Sequence, residues 1–208
     1  MADMSFEPRR FASRAALLSL LRMAIRSRAG LWALLILVAT ATLLLAMGRP
    51  PICACGEVAL WEPSAASART SQMLADWYSP SHLVHGFLFY AALWLAARSK
   101  PVEHRFLVAL LVEVGWEVLE NTPLIIDRYR EATAAIGYTG DSVLNSLSDI
   151  GMMALAFLAA RRLPLWLSVV LVLALELVPL FVIRDNLTLN VWMLLAPNDA
   201  IRSWQEGG

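Results

Sequence analysis

The stretch FLVALLVEVGWEVLENTPLIID, residues 106–127, decides how this chain is read. Its first seven residues look like the opening of a bilayer-crossing helix. Its middle then carries Glu113, Glu117, Glu120 and Asn121 at helical spacing. At about 100° per residue the three glutamates fall within a narrow arc, with Asn121 at its edge. A charged group in hydrocarbon costs about 3 kcal/mol even on mild scales, so such a stripe is expected to face protein or a polar cavity.

The rest of the chain agrees with a membrane setting. Of its 208 residues 59% are hydrophobic and 16% charged, where soluble domains run near half and a quarter. Mean hydropathy is positive, at +0.60. A formal net charge of zero argues against nucleic acid as a partner, and no P-loop, GxGxxG turn or zinc-type Cys/His array is present. Apolar runs at about 31–47, 82–97, 106–126, 142–160 and 165–183 approach the roughly 20 residues that a crossing helix needs. A further run, 187–197, is too short to cross and reads as an interfacial or packed segment. The expected fold is an all-α polytopic bundle of about five spans. Its parts are a basic N-terminal segment (1–30), a transmembrane domain (31–183) with an outer loop at 48–80, and a tail (184–208).

Basic residues give the orientation. Eleven lie on the side of the N-terminus and the 98–105 and 161–162 connections, against six on the other side. The positive-inside rule then places the N-terminus in the cytoplasm and the tail outside. The first span reads as a retained anchor, because its n-region is too long for a cleaved signal. The arginine-rich lead-in, SFEPRRFASRAALLSLLRMAIRSR, fits either an amphipathic helix on anionic lipid or a topology signal.

This topology brings polar residues of four spans to one depth, in the outer half of the membrane. Glu113, Glu117, Glu120 and Asn121 come from span three, and Asp141, Asn145 and Asp149 step by four on span four. His82 and His85 lie in the first turns of span two, and Glu176 lies past the midpoint of span five. Facing acids and histidines in a bundle are the ingredients of a metal site. His85, Glu117, Glu120, Asp141 and Asp149 are the candidate ligands of a divalent metal, oxygen-rich for Mg, Ca or Mn and with histidine for Zn or Fe. The spacing matches no metal motif, having neither HExxH nor ExxH. Crowded acids also suit proton transfer, which makes Glu117, Glu120, Asp149 and His85 the catalytic candidates. A hydrogen-bond network that only fixes helix packing is the plain alternative. Pro123 marks either an opened helix end beside a cavity or the simple end of the span.

Outside the spans, Arg128 and Arg130 are anion-binding candidates beside the cluster, or partners of Asp127 and Glu131. The loop acids Glu57, Glu62 and Asp76 and the base Arg69 are weaker headgroup candidates. Cys53 and Cys55 face an oxidising compartment, though a bridge across one residue is expected to be strained.

SHLVHGFLFYAALWLAAR (81–98) resembles the histidine-bearing helix of VanZ-like membrane proteins. WEVLEN (116–121) and GDSVLNSLSDIGMMALA (140–156) are similar to their Glu helix and to the Asp-x3-Asn/Asp-x3-Asp/Gly helix that follows it. The matched polar positions are His85, Glu117, Asp141, Asn145 and Asp149, while His82, Glu120 and Glu176 are additions. Over nearly its full length the chain is identified as a member of domain of unknown function 2585, an alphaproteobacterial family. The resemblance implies a multi-pass protein of the bacterial inner membrane, with its outer loop and tail in the periplasm and a link to the cell envelope. No reaction comes with it. EVLENTPLIID (117–127) is also similar to a stretch of bacterial diacylglycerol kinase. That enzyme works on the cytoplasmic face with a lysine–aspartate helix absent here, so the kinase reading is set aside.

The expected function is binding of a lipid headgroup, a lipid-linked glycan or a metal ion by a periplasm-facing cluster. The alternatives are an accessory scaffold subunit and a membrane-embedded lipid hydrolase or transferase. Membrane lipids, and a membrane-protein partner or a second copy of the chain, are the expected partners.

Overall fold

The computed structural model describes residues 28–133 and 137–207, so the arginine-rich lead-in lies outside the described residues. Among those described the protein is all-α, with eight helices and no strand. They are α1 (Arg28–Ala46), α2 (Ser79–Ala97), α3 (Val102–Glu120), α4 (Pro123–Ala132), α5 (Val143–Ala160), α6 (Leu165–Ile183), α7 (Leu187–Leu195) and α8 (Asp199–Gln205). Three of these, α1, α5 and α6, are long and apolar enough to cross a membrane. The other two 19-residue helices, α2 and α3, carry the histidines and glutamates.

Helix ends follow local chemistry. Pro80 stands in the first turn of α2, where its missing N–H costs nothing. Ser142 caps α5 by accepting from the N–H of Asn145 at 3.1 Å. The expected third span, 106–126, is corrected. Helix α3 stops at Glu120, and Pro123 opens the separate helix α4 after a break at Asn121–Thr122. Proline has no N–H to continue the ladder, but it is well placed as the first residue of a new helix. The short run at 187–197 forms α7, capped by the side chain of Asn186, and α8 follows it without any apolar signal in the sequence.

Helix α2 packs most extensively on α5, with α3 completing a three-helix centre; α1 leans on α3 and α5, and α6 leans on α2. Gly86 explains the closest approach. A Cβ there would stand 2.3 Å from the Met153 carbonyl oxygen and 2.6 Å from the Ala156 Cβ, so only glycine fits. At one end of this centre lies an apolar core of Ala109, Leu110, Ile150, Met153 and Phe157, edged by Tyr90 and Phe106 against the Phe157 ring. At the other end, under the long α1–α2 loop, every one of the three helices turns polar.

Outward faces are apolar. On α1, Leu31, Trp32, Leu34, Leu35 and Val38 are exposed, and on α6 the exposed set runs from Leu165 and Trp166 to Phe181 and Val182. Such continuous exposed apolar surface is what lipid-facing helices present.

Candidate functional site

Because α2 and α5 meet so closely at Gly86, the first turn of α2 is held against α3 and the start of α5. Glu113 is the anchor on α3. One of its oxygens is 2.7 Å from His82 Nδ1 and the other is 3.0 Å from His85 Nδ1. The two imidazoles meet edge to face, and His85 stacks on Phe89 one turn along. Nδ1–H donation to Glu113 fixes the His82 ring so that Nε2 turns toward α5, where it stands 3.9 Å from Asp149 Oδ2. Glu117 is next on the α3 stripe, 3.4 Å from His82 Nδ1 through one oxygen. Neither of its carboxylate oxygens takes a hydrogen bond from the protein, and only 1% of the residue is exposed.

One turn further, Asn121 ties three segments together. Its amide donates to Asp141 Oδ2 at 2.8 Å and to the Glu117 carbonyl at 3.0 Å, and its oxygen accepts from the Asp141 N–H at 2.8 Å. The α1–α2 loop closes over this corner. Gln72 donates to the Gly140 carbonyl, Ser142 donates to the Gln72 carbonyl, and Asn145 donates to the Met73 carbonyl. Backbone N–H groups of Val143 and Leu144 reach the carbonyls of Pro50 and Pro51. Arg49 donates to the Thr139 carbonyl, leaving no space for a side chain at Gly140, whose φ is +88°. Asp76, 2% exposed, holds the loop's own turn by accepting from the N–H groups of Ser71 and Tyr78. Cys53 and Cys55 are joined in a disulfide with Cα atoms 5.1 Å apart, inside the usual range despite the single intervening residue.

Between these walls lies a cavity of about 470 Å³, the size of a small-ligand site. Its floor is His82, Asp141, Asn145 and Asp149, with Asp76 beside it. Glu120, Tyr129, Tyr138 and Asn190 add polar groups, and Ser67, Thr70 and Ser81 add hydroxyls. Trp116, Leu187 and Val191 form an apolar flank, and Ala66, Ala68, Gly137 and Thr139 are its exposed rim. Outside the helices, burial pushes the carboxyls of Asp76 and Asp141 above their usual range, against the pull of the N–H and O–H groups that bond them.

Residues expected from the sequence divide cleanly. His82, His85, Glu113, Glu117, Glu120, Asn121, Asp141, Asn145 and Asp149 come together at the loop end of the bundle. Glu176 does not join them; its carboxylate accepts from the N–H groups of Leu187 and Thr188 and from the Thr188 hydroxyl, so it braces the first turn of α7. Arg128 donates to the Leu194 carbonyl, and Arg130 donates to the Tyr138 carbonyl while facing Asp127 at 3.6 Å. Neither arginine lines the cavity. Of the loop charges, Arg69 pairs with Glu57 and Glu62, whereas Asp76 belongs to the cavity. Tyr129, Tyr138, Trp116 and Asn190 were not singled out by spacing. Nothing in the sequence marks them except their nearness to the polar stripes and to Asn186.

Three groupings bring side chains close enough to share one cation, with candidate ligand atoms within 4.8 Å of one another. They are His82–His85–Glu113, His82–Glu117–Asp149 and Glu117–Glu120–Asp141.

Comparison with known proteins places the chain among relatives of similar length. A UPF0314 protein of Agrobacterium fabrum is 57% identical over 163 residues, covering 78% of this chain and 82% of its own. One of Sphingopyxis alaskensis is 52% identical over 168 residues, 81% and 89% of the two chains. One of Paracoccus denitrificans is 51% identical over 181 residues, 86% and 94%. No solved structure matches. The family described as Protein of unknown function (DUF2585) matches residues 44–207, from the last turn of α1 through α8, and the chain belongs to that family.

Proposed function

We propose that the chain crosses the bacterial inner membrane five times, through α1, α2, α3, α5 and α6, with its N-terminus cytoplasmic and its tail periplasmic. In that orientation the cavity opens to the periplasm and binds the polar head of a lipid or lipid-linked glycan. The observation that carries this reading is the cavity's two-sided chemistry. Its floor is acidic and hydroxyl-rich, while Trp116, Leu187 and Val191 offer one apolar flank. A head bearing hydroxyls or amines pairs with such a floor, and a hydrocarbon tail pairs with such a flank. The basic connections at 98–105 and 161–162 lie at the opposite end of the helices, as the positive-inside rule requires of a cytoplasmic side. The resemblance of α2, α3 and α5 to VanZ-like proteins agrees with a role at the cell surface, by analogy only.

The test is lipid mass spectrometry on protein extracted with its native lipids, compared with a bulk extract of the same membrane. Wild type is expected to carry one lipid class enriched several-fold, and Trp116→Ala or Asp141→Asn to lose that enrichment. Lipids from wild type that match the bulk extract would overturn the reading and leave a network that only orders the helices.

A further inference from the structure

We infer that His82, Glu117 and Asp149 form a binding site for one divalent transition-metal cation between α2, α3 and α5. The site shares His82 and Asp149 with the cavity floor and reaches behind it to Glu117, which does not line the cavity, so it deepens the headgroup reading without depending on the apolar flank.

Glu117 is the first observation. It is 1% exposed, and neither carboxylate oxygen receives a hydrogen bond from the protein. Asp149, 5% exposed, has one oxygen in the same condition. Buried polar atoms are nearly always satisfied, and an ionised carboxylate without donors is among the costliest to leave bare. These two acids have no neutralising lysine or arginine within ion-pair distance among the described residues; their only ion-pair neighbour is His82. A cation held between them would supply what the protein does not.

His82 is the second, independent observation. Metal-bound histidines characteristically donate one ring N–H to a carboxylate, which fixes the tautomer and turns the other nitrogen toward the ion. His82 has this arrangement: Nδ1 is 2.7 Å from Glu113 Oε1, and Nε2 faces Asp149 at 3.9 Å, too far for a hydrogen bond. One ligand atom from each of the three residues lies within 4.8 Å of the others. Glu113 is itself held by His85 on its second oxygen, so it acts as a positioning residue for the two imidazoles. One imidazole and two carboxylates suit Zn or Mn better than the all-oxygen shells of Mg or Ca. Such an ion at the cavity floor would also let an acidic pocket accept a phosphate, by bridging it to Asp149.

The experiment uses the full chain in nanodiscs, stripped with chelator and titrated with Zn²⁺ alone. Metal content is read by elemental analysis, and Co²⁺ substitution reads ligand geometry from visible absorption. Wild type is expected to take up one Zn²⁺ per chain and to melt several degrees higher when loaded. Glu117→Gln and Asp149→Asn should each weaken binding by 10-fold or more, and Glu113→Gln by roughly 10- to 100-fold through misplacement of His82. Glu57→Gln, in the exposed loop, should bind as wild type does. Without metal, Glu117→Gln should melt at or above the wild-type temperature, because the amide replaces a buried carboxyl that has no hydrogen-bond donor from the protein. A purely structural role for Glu117 predicts the reverse, a lower melting temperature with or without Zn²⁺. No stoichiometric uptake by wild type, or uptake undiminished in both Glu117→Gln and Asp149→Asn, would overturn the inference. The lipid content measured on the same samples separates this failure from failure of the headgroup reading.

Discussion

The two ends of the central three-helix unit are built from the same helices by opposite chemistry. On α3 the buried face runs from Ala109 and Leu110 to Glu113 and Glu117, with Asn121 just past its end; on α5 it runs from Asn145 and Asp149 to Ile150, Met153 and Phe157. On α2 it changes between His82 and Phe87. Gly86 stands at the seam, where α2 touches the backbone of α5. The apolar end needs nothing but shape to be stable, since its side chains fill one another's space. The polar end needs every donor and acceptor matched, and at Glu117 and Asp149 the protein leaves that matching incomplete. The difference teaches that the apolar end is the clamp, while the polar end keeps buried carboxylate oxygens that the protein itself does not match.

Phe157 offers the largest expected break in this contrast. It is fully buried and takes the edges of Tyr90 and Phe106, so Phe157→Ala is expected to cost about 3–5 kcal/mol in a denaturation series in detergent. The polar end answers differently to loss of its hub. Asn121→Ala removes both partners of Asp141 on that side and is expected to cost about 1–3 kcal/mol, visible as faster proteolysis at the α3–α4 corner. Gly86→Ala probes the seam itself. Its new methyl meets the backbone of Met153, and an expected loss of about 1–3 kcal/mol should be accompanied by loss of Zn²⁺ uptake, because both ends share that contact. A Gly86→Ala protein that melts and binds as wild type does would show that the two ends are independent.

How much of this was legible in the sequence follows the same division. The helices of spans one and five were readable to within a few residues, because apart from Arg28 and Glu176 neither α1 nor α6 carries a charge. The convergence of Glu113, Glu117, Asp141, Asn145 and Asp149 was readable from spacing, since residues three and four apart share a helix face. The break after Glu120 was not. An apolar LII followed Pro123, so hydropathy carried the span onward where the backbone in fact ended it. Glu176 was misplaced for a different reason: its depth in span five matched the cluster, but depth says nothing of direction around the helix, and it caps α7 instead. The loop's part in the cavity was hidden too. Asp76 and Ser71 lie in a stretch with no periodicity, and only the fold-back onto Ser142 and Asn145 buries them. Pairing between segments distant in sequence leaves no local pattern to read.

Asp185 gives the smallest and most specific test, because it lies at the polar end but outside the cluster. Burial pushes its carboxyl up to about 6, although the Asn186 N–H and the side chains of Asn190 and Gln205 pull the other way, and nearby Glu176 adds to the rise. The folded protein therefore holds this proton more tightly than the unfolded chain does. The stabilisation is full below pH ~4 and is lost as pH rises through about 6. Each tenfold gain in proton affinity on folding is worth ~1.4 kcal/mol, so the loss is on the order of 1–3 kcal/mol. Asp185→Asn keeps an oxygen for the Asn186 N–H and cannot ionise. Its stability relative to wild type is expected to rise between pH ~4 and ~7 by this amount, with most of the rise complete by pH ~6, read from melting temperatures across the range. A difference that stays flat with pH would mean that Asp185 is already solvated, and that the polar end admits water as far as the α6–α7 turn.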